Sequence, residues 1–247
     1  MTASLTMIGR SIRLSRRNFD LVIMAIVLPV LMMALFVYVF GGAISSTQSY
    51  VDYVVPGILV LCTGYGATST AMSVTDDMKK GVVDRFRSMP ISGFSVLTGH
   101  VVASVARNAL ATFAVVLVAL LMGFRPAASL AGWVLAMGLL LLYVLALSWL
   151  AAAFGVVARS VESASLLGFF MLFIPYLSSA FVPVETMPSF LRAVSEHQPI
   201  TPVIETVRAL LNDQPVTSGW LALAWSGGLL VAAFGWATWL FGRINRR

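Results

Sequence analysis

Residues 126–158 read Pro126-Ala127-Ala128-Ser129-Leu130-Ala131-Gly132-Trp133-Val134-Leu135-Ala136-Met137-Gly138-Leu139-Leu140-Leu141-Leu142-Tyr143-Val144-Leu145-Ala146-Leu147-Ser148-Trp149-Leu150-Ala151-Ala152-Ala153-Phe154-Gly155-Val156-Val157-Ala158, without one charge. A helix rising about 1.5 Å per residue needs about 20 mostly apolar residues to cross the hydrocarbon core of a bilayer. This run exceeds that length. In lipid every backbone N–H and C=O must be satisfied inside the protein, which leaves helix bundles and closed barrels. Barrel strands are stretches of about ten residues that alternate apolar with polar. Here the apolar run is continuous, so it is a helix.

The rest of the chain agrees. Of 247 residues, 59% are hydrophobic and 11% charged, where a soluble domain carries about a quarter charged residues. The solvent is lipid. Further uncharged runs cover 21–40, 163–184 and 214–242, and 51–75 holds only Asp52 near its start. The run 109–123 is short and reaches spanning length only if extended back through Arg107 to about Val101. The expected fold is therefore an all-α integral membrane domain of six transmembrane helices, over 21–40, 51–75, 101–123, 129–155, 163–183 and 219–241. Pro29 and Pro175 fall inside the first and fifth of these and should bend them.

Charge assigns the sides. Arg10, Arg13, Arg16 and Arg17 precede the first run, and Lys79, Lys80, Arg85 and Arg87 lie between the second and third. Arg159 lies between the fourth and fifth, and Arg243, Arg246 and Arg247 follow the sixth. With six alternating spans these twelve cations share one face, cytoplasmic by the positive-inside bias. The other face receives Arg125, Arg192 and Arg208. Both termini are then cytoplasmic, and the expected location is the bacterial plasma (inner) membrane. Topology thus accounts for the net charge of +6, and no nucleic-acid partner is expected. Trp220 and Trp239 bracket the last run at about the thickness of the hydrocarbon core. The pair in Ser15-Arg16-Arg17-Asn18-Phe19 resembles a twin-arginine export signal, but the run after it is longer and more apolar than a cleaved signal. The pair belongs with the cytoplasmic cations.

Three segments outside the spans carry information. Over 1–19, Met1, Leu5, Ile8, Ile12 and Phe19 share one helical sector while Arg10, Arg13 and Arg17 lie opposite, a pattern expected of a helix in the interface plane. Over 76–90, Met78, Val82, Phe86 and Met89 share a face, and Lys80, Asp84 and Arg87 share another, until Pro90 ends the helix. Such a charged amphipathic helix between two spans is a natural docking surface for a cytosolic protein. The segment 184–218, external by topology, is semi-polar. Thr201 reads as an N-cap with Pro202 at the first helical position, which suggests helices re-entering the outer membrane face.

Chemistry is sparse. Neither lysine stands in a phosphate-binding loop, and Cys62 lies alone in an apolar run. His100 and His197 fall on opposite faces, so no His-based metal site or triad is expected. The chain is not expected to be an enzyme. Arg107 is the one ionisable residue well inside an expected span, open to two readings: a site for an anionic group, or a side chain snorkelling to the cytoplasmic interface.

The stretch Tyr53-Val54-Val55-Pro56-Gly57-Ile58-Leu59-Val60, then Lys80-Gly81-Val82-Val83-Asp84-Arg85-Phe86-Arg87-Ser88-Met89-Pro90-Ile91-Ser92, resembles the ABC-2 type transporter permease family, in its daunorubicin/doxorubicin-resistance branch. So do Phe181-Val182-Pro183, Met187-Pro188 and Pro199-Ile200-Thr201-Pro202-Val203-Ile204-Glu205-Thr206-Val207-Arg208-Ala209-Leu210. His197-Gln198 departs from the pattern, where a small polar residue is expected. The resemblance covers nearly the whole chain in order and spacing. It implies the permease subunit of an exporter of hydrophobic or amphipathic drug- or lipid-like molecules. Two ATPase chains would bind ATP and Mg, this chain would hold no cofactor, and a second copy or a related permease would pair with it among the membrane lipids.

By the same resemblance 1–19 is a connecting helix with Arg10, Arg13 and Arg17. The segment 76–90 is a coupling helix with Met78, Lys80, Asp84, Arg85, Phe86, Arg87 and Met89. The family's path runs between helices 2 and 5, which here offer Gly64 and Tyr65, and Phe169, Phe170, Phe173 and Tyr176. The aromatic residues equally suit lipid contact or packing. Other readings are an exporter of a glycan or lipid-linked polymer, a non-transporting membrane subunit, and an enzyme of lipid metabolism. The first wants more polar spans, and the last wants an Asp, His or Lys cluster at one interface.

Overall fold

The computed structural model describes residues 19–41, 50–81 and 94–244, and these form helices and connecting turns with no strand. Eight α-helices follow in chain order: α1 Phe19–Ala34, α2 Tyr50–Lys79, α3 Phe94–Leu121, α4 Leu130–Val157, α5 Val161–Phe173, α6 Ser189–His197, α7 Ile200–Leu211 and α8 Gly219–Ile244. The α1 helix runs on as a π-helical turn over Leu35–Phe40. Among the described residues, five helical stretches are long and apolar enough to cross a membrane: Ile23–Phe40, Tyr50–Lys79, Ser95–Leu121, Leu130–Val157 and Gly219–Arg243.

The fifth expected span, 163–183, is the exception. It is a 13-residue helix followed by the 3-10 turn Ile174–Leu177, after which the chain leaves helix. Pro175 sits in the first positions of that turn, where its missing N–H ends the α ladder instead of bending a longer helix. Together the two pieces rise about 28 Å, just under the hydrocarbon thickness.

Other boundaries also move. No breaker separates residues 75 and 76, so α2 continues to Lys79 and stops at Gly81, whose φ of 64° is the left-handed conformation common just past a helix end. Residues 76–79, expected to open the coupling helix, are the last turn of α2. The third span begins at Phe94, not near Val101. The residue before α7 is Pro199, so Thr201 lies inside the first turn and does not cap it. Two caps follow the sequence directly. Ser129 Oγ accepts from Gly132 N at 3.2 Å to start α4, and Ser160 and Ser163 form a reciprocal capping box that starts α5.

The bundle is built around α2. It packs against α1, α3, α4, α5 and α7, while α8 lies mainly along α4. Small residues set the spacing. A Cβ on Gly57 would stand 2.6 Å from Ala180 O, and one on Gly155 2.6 Å from Ala71 O. Close backbone approach of this kind is what holds helices together where lipid removes the hydrophobic drive.

Candidate functional site

The exposed side of α5 is aromatic. Phe169, Phe170 and Phe173 are 58%, 66% and 49% exposed. Ring centroids step from Phe169 to Phe173 at 4.4 Å, to Tyr176 at 6.0 Å, to Phe181 at 4.9 Å and to Phe36 of the π turn at 4.1 Å. The helical period puts Phe169, Phe173 and Tyr176 on one stripe. Tyr176 is anchored by its hydroxyl, 3.3 Å from Met32 Sδ. Gly64 is not on this face. It is buried, where an added Cβ would stand 3.1 Å from Met171 O, so it permits α2 to meet α5. Tyr65 lines a cavity among α1, α2 and α3.

A polar seam joins α2, α3 and α4 in their middles. Ser148 Oγ donates to Ser104 Oγ at 2.9 Å, Ser104 Oγ reaches Gly66 O at 3.4 Å, and Asn108 Nδ2 donates to Ser104 O at 3.0 Å. Arg107 Nη2 donates to Thr70 Oγ1 at 3.1 Å, and that hydroxyl donates to Gly66 O at 2.8 Å. Arg107 stands thirteen residues beyond Phe94, about 20 Å along α3. Its side chain is directed across to α2 at the level of Thr70. An arginine at the centre of a spanning helix costs about 3 kcal/mol on insertion scales, so its presence calls for compensating contacts.

At the Lys79 end of α2, Asp77 and His100 form a buried pair with Oδ2 and Nε2 3.0 Å apart, 23 positions apart in sequence. This joins the end of α2 to the start of α3, below a patch of Val74, Leu97, Val101 and Trp149. Met78 packs against the same patch. Lys80 is exposed, its Nζ 2.6 Å from Asp76 Oδ2, and that hydrogen bond holds it above the ordinary lysine range. Asp84, Arg85, Phe86, Arg87, Met89, Arg10, Arg13 and Arg17 lie outside the described residues.

At the opposite end of α2 a lock centres on Arg208 of α7. Its Nε donates to Tyr53 O at 3.1 Å, its Nη2 to Ser179 O at 2.6 Å, and its guanidinium lies 3.8 Å from the centre of the Tyr53 ring. Tyr53 Oη donates to Ser179 O at 3.0 Å and Tyr50 Oη to Phe181 O at 2.8 Å. Burial pulls the Arg208 guanidinium below its ordinary value, while Tyr53 and Glu205 pull it back up. Burial likewise raises Glu205, against the pull of Arg208. Gln198, where the chain departs from the family pattern, donates to Leu177 O at 2.7 Å and ties the α6–α7 junction to the end of α5.

Sequence reasoning missed the Asp77–His100 pair, the Ser104–Ser148–Asn108 seam and the role of Arg208. Asp77 and His100 carried the usable signal, two ionisable residues on either side of the segment between the second and third apolar runs. The seam is made of small polar residues scattered through apolar runs, and nothing local marks it.

These features define a multi-pass helical membrane protein with a glycine-spaced central helix, an aromatic flank and polar locks at both ends of that helix. Residues 2–212 match the family model "ABC-2 type transporter", and the chain belongs to that family of transport permeases. It is 33% identical over 241 residues to the daunorubicin resistance ABC transporter permease protein DrrB1 of Streptomyces coeruleorubidus, covering 95% of this chain and 83% of that one. It is 25% identical to the probable doxorubicin resistance ABC transporter permease protein DrrC of Mycobacterium tuberculosis, over 87% of this chain and 79% of that one. Its identity to the putative transport permease ycf38 of Cyanophora paradoxa is 29%, over 85% and 72% of the two chains.

Proposed function

We propose that this chain is half of the membrane unit of an ATP-driven exporter for hydrophobic or amphipathic molecules, of the kind named in its drug-resistance relatives. The observation that carries the reading is the aromatic stripe Phe169, Phe173 and Tyr176 on α5, a surface for flat or apolar cargo beside the central helix. In this reading α5 with its 3-10 turn completes six spans, both termini face the cytoplasm of a bacterial inner membrane, and α6 and α7 form the re-entrant external segment. A second permease, alike or related, closes the path against α2 and α5. Two ATPase subunits supply bound ATP and Mg. They dock at 76–90, through Met78, Lys80, Asp84, Arg85, Phe86, Arg87 and Met89, and at the 1–19 helix through Arg10, Arg13 and Arg17.

Nucleotide and cargo act through their differential affinity for inward- and outward-facing states. Inside-out vesicles containing the chain and its cognate ATPase test this with doxorubicin as probe. ATP-dependent uptake should appear only when both chains are present. It should fall several-fold in the Phe169→Ala, Phe173→Ala double variant while the complex still assembles. Uptake that is the same with and without this chain would overturn the proposal.

A further inference from the structure

Between α1, α2 and α3 lies a cavity of about 190 Å³, lined by Met24, Tyr65, Met72, Arg107, Asn108 and Ala111 among others. Its walls have two characters. Met24, Met72 and Ala111 present an apolar surface, and the thioether side chains adapt to varied shapes. Arg107 adds a full positive charge that cannot be titrated away in a protein. Asn108 is 2% exposed, and its Oδ1 has no hydrogen-bond partner among the described residues. Its Nδ2 is committed to Ser104 O, which fixes which way round the amide stands. The Oδ1 atom is itself enclosed by protein, so Asn108 closes the cavity wall and takes no ligand.

The cavity is also built, not incidental. Thr70 holds Arg107 at this depth, and Gly66 is the only residue that admits Asn108, since an added Cβ would stand 2.0 Å from Asn108 Nδ2. Met24, one of the lining residues, is 58% exposed on α1. The cavity's volume is smaller than the about 300 Å³ at which pockets for whole drug-sized ligands begin. It suits one end of a longer molecule.

We infer that this cavity binds the polar end of an anionic amphipath, with a carboxylate or phosphate on Arg107 and the first methylenes against Met24, Met72 and Ala111. The site is separate from the α5 aromatic stripe. It stands whether or not the chain exports drugs.

The test uses the permease–ATPase complex in neutral-lipid nanodiscs and photoactivatable stearate, with lysophosphatidate of the same chain and stearyl alcohol as companions. Stearate and lysophosphatidate should label α1–α3 peptides about tenfold more than the alcohol, the factor expected for a hydrogen bond to a charged group. Arg107→Gln should bring stearate labelling down to the alcohol level. Met72→Trp, which leaves Arg107 in place and fills the cavity, should abolish labelling and covers the case in which Arg107→Gln fails to fold. Equal labelling by the alcohol, or unchanged labelling in Met72→Trp, overturns the site. Displacement by inorganic phosphate alone also overturns it, since the apolar wall would then take no part. Labelling that holds in a complex unable to move doxorubicin leaves the site standing and removes the export reading.

Discussion

Arg208 shows how one side chain can fix a helix to its neighbours. Its guanidinium satisfies Tyr53 O and Ser179 O and covers the Tyr53 ring, so three pieces of chain that are far apart in sequence meet on it. Arg208→Ala would remove two charge-assisted hydrogen bonds, leaving Ser179 O with the Tyr53 hydroxyl as donor, and would open a void over the ring. Hydrogen bonds to charged groups contribute about 1.5–3 kcal/mol, so the melting temperature in detergent should fall by several degrees. Arg208→Lys should recover only part, because an ammonium lacks the planar fork. Glu205, one turn away, behaves oppositely. Burial raises its folded-state pKa, so the folded protein holds its proton more tightly and stability declines as pH rises through that raised value. Glu205→Gln should therefore raise the melting temperature near neutral pH, with the gain vanishing at pH low enough to protonate both states. A gain that persists unchanged into acid would assign the effect to packing and not to charge.

At the scale of elements, the glycines divide by what surrounds them. Gly155 stands where a Cβ would meet Ala71 O at 2.6 Å, whereas nothing lies within 4 Å of a Cβ on Gly138 in the same helix. Gly155→Ala should push α4 off α2 and cost about 1–3 kcal/mol, as overpacking does. Gly138→Ala should be neutral or slightly stabilising through helix propensity. Thermal unfolding of the two variants side by side reads the contrast, and equal losses would show that the α2–α4 approach is not the constraint. Helices were legible in the sequence wherever lipid alone dictated them, as over 130–157. Legibility failed at the start of α3, where Ser95, His100, Ser104, Arg107 and Asn108 make the run look too polar to span. Several of those groups are matched across the interface, as in Asp77 with His100 and Thr70 with Arg107, and such pairing depends on register between helices, not on local pattern. The fifth expected span looked longer than the helix found there because Pro175 reads equally as a bend or an end. Of the candidate path residues taken from the family resemblance, the α5 aromatics stand exposed, while Gly64 is buried where α2 meets α5.

Across the whole molecule α2 is a rod of 30 residues, about 45 Å long, fastened at one end by Arg208 and at the other by the Asp77–His100 pair. Between the fastenings it touches most of the bundle. A packed helix of this kind moves as a unit, since interiors at crystal-like density do not deform continuously. A displacement delivered to the segment between α2 and α3 would then reach the Arg208 end through α2 itself, provided the two helix ends that carry that segment are held to each other. Asp77 and His100 are the visible hold. Asp77→Asn keeps the shape of the side chain and removes its charge. In vesicles carrying the permease and its ATPase, this variant should retain ATP hydrolysis while doxorubicin moved per ATP falls several-fold. His100→Gln should do the same, and the double variant should be no worse than either alone, because both remove one joint. Matching losses of hydrolysis and transport, together with less assembled complex, would reduce the pair to a stabilising contact. Additive losses in the double variant would place Asp77 and His100 in separate roles.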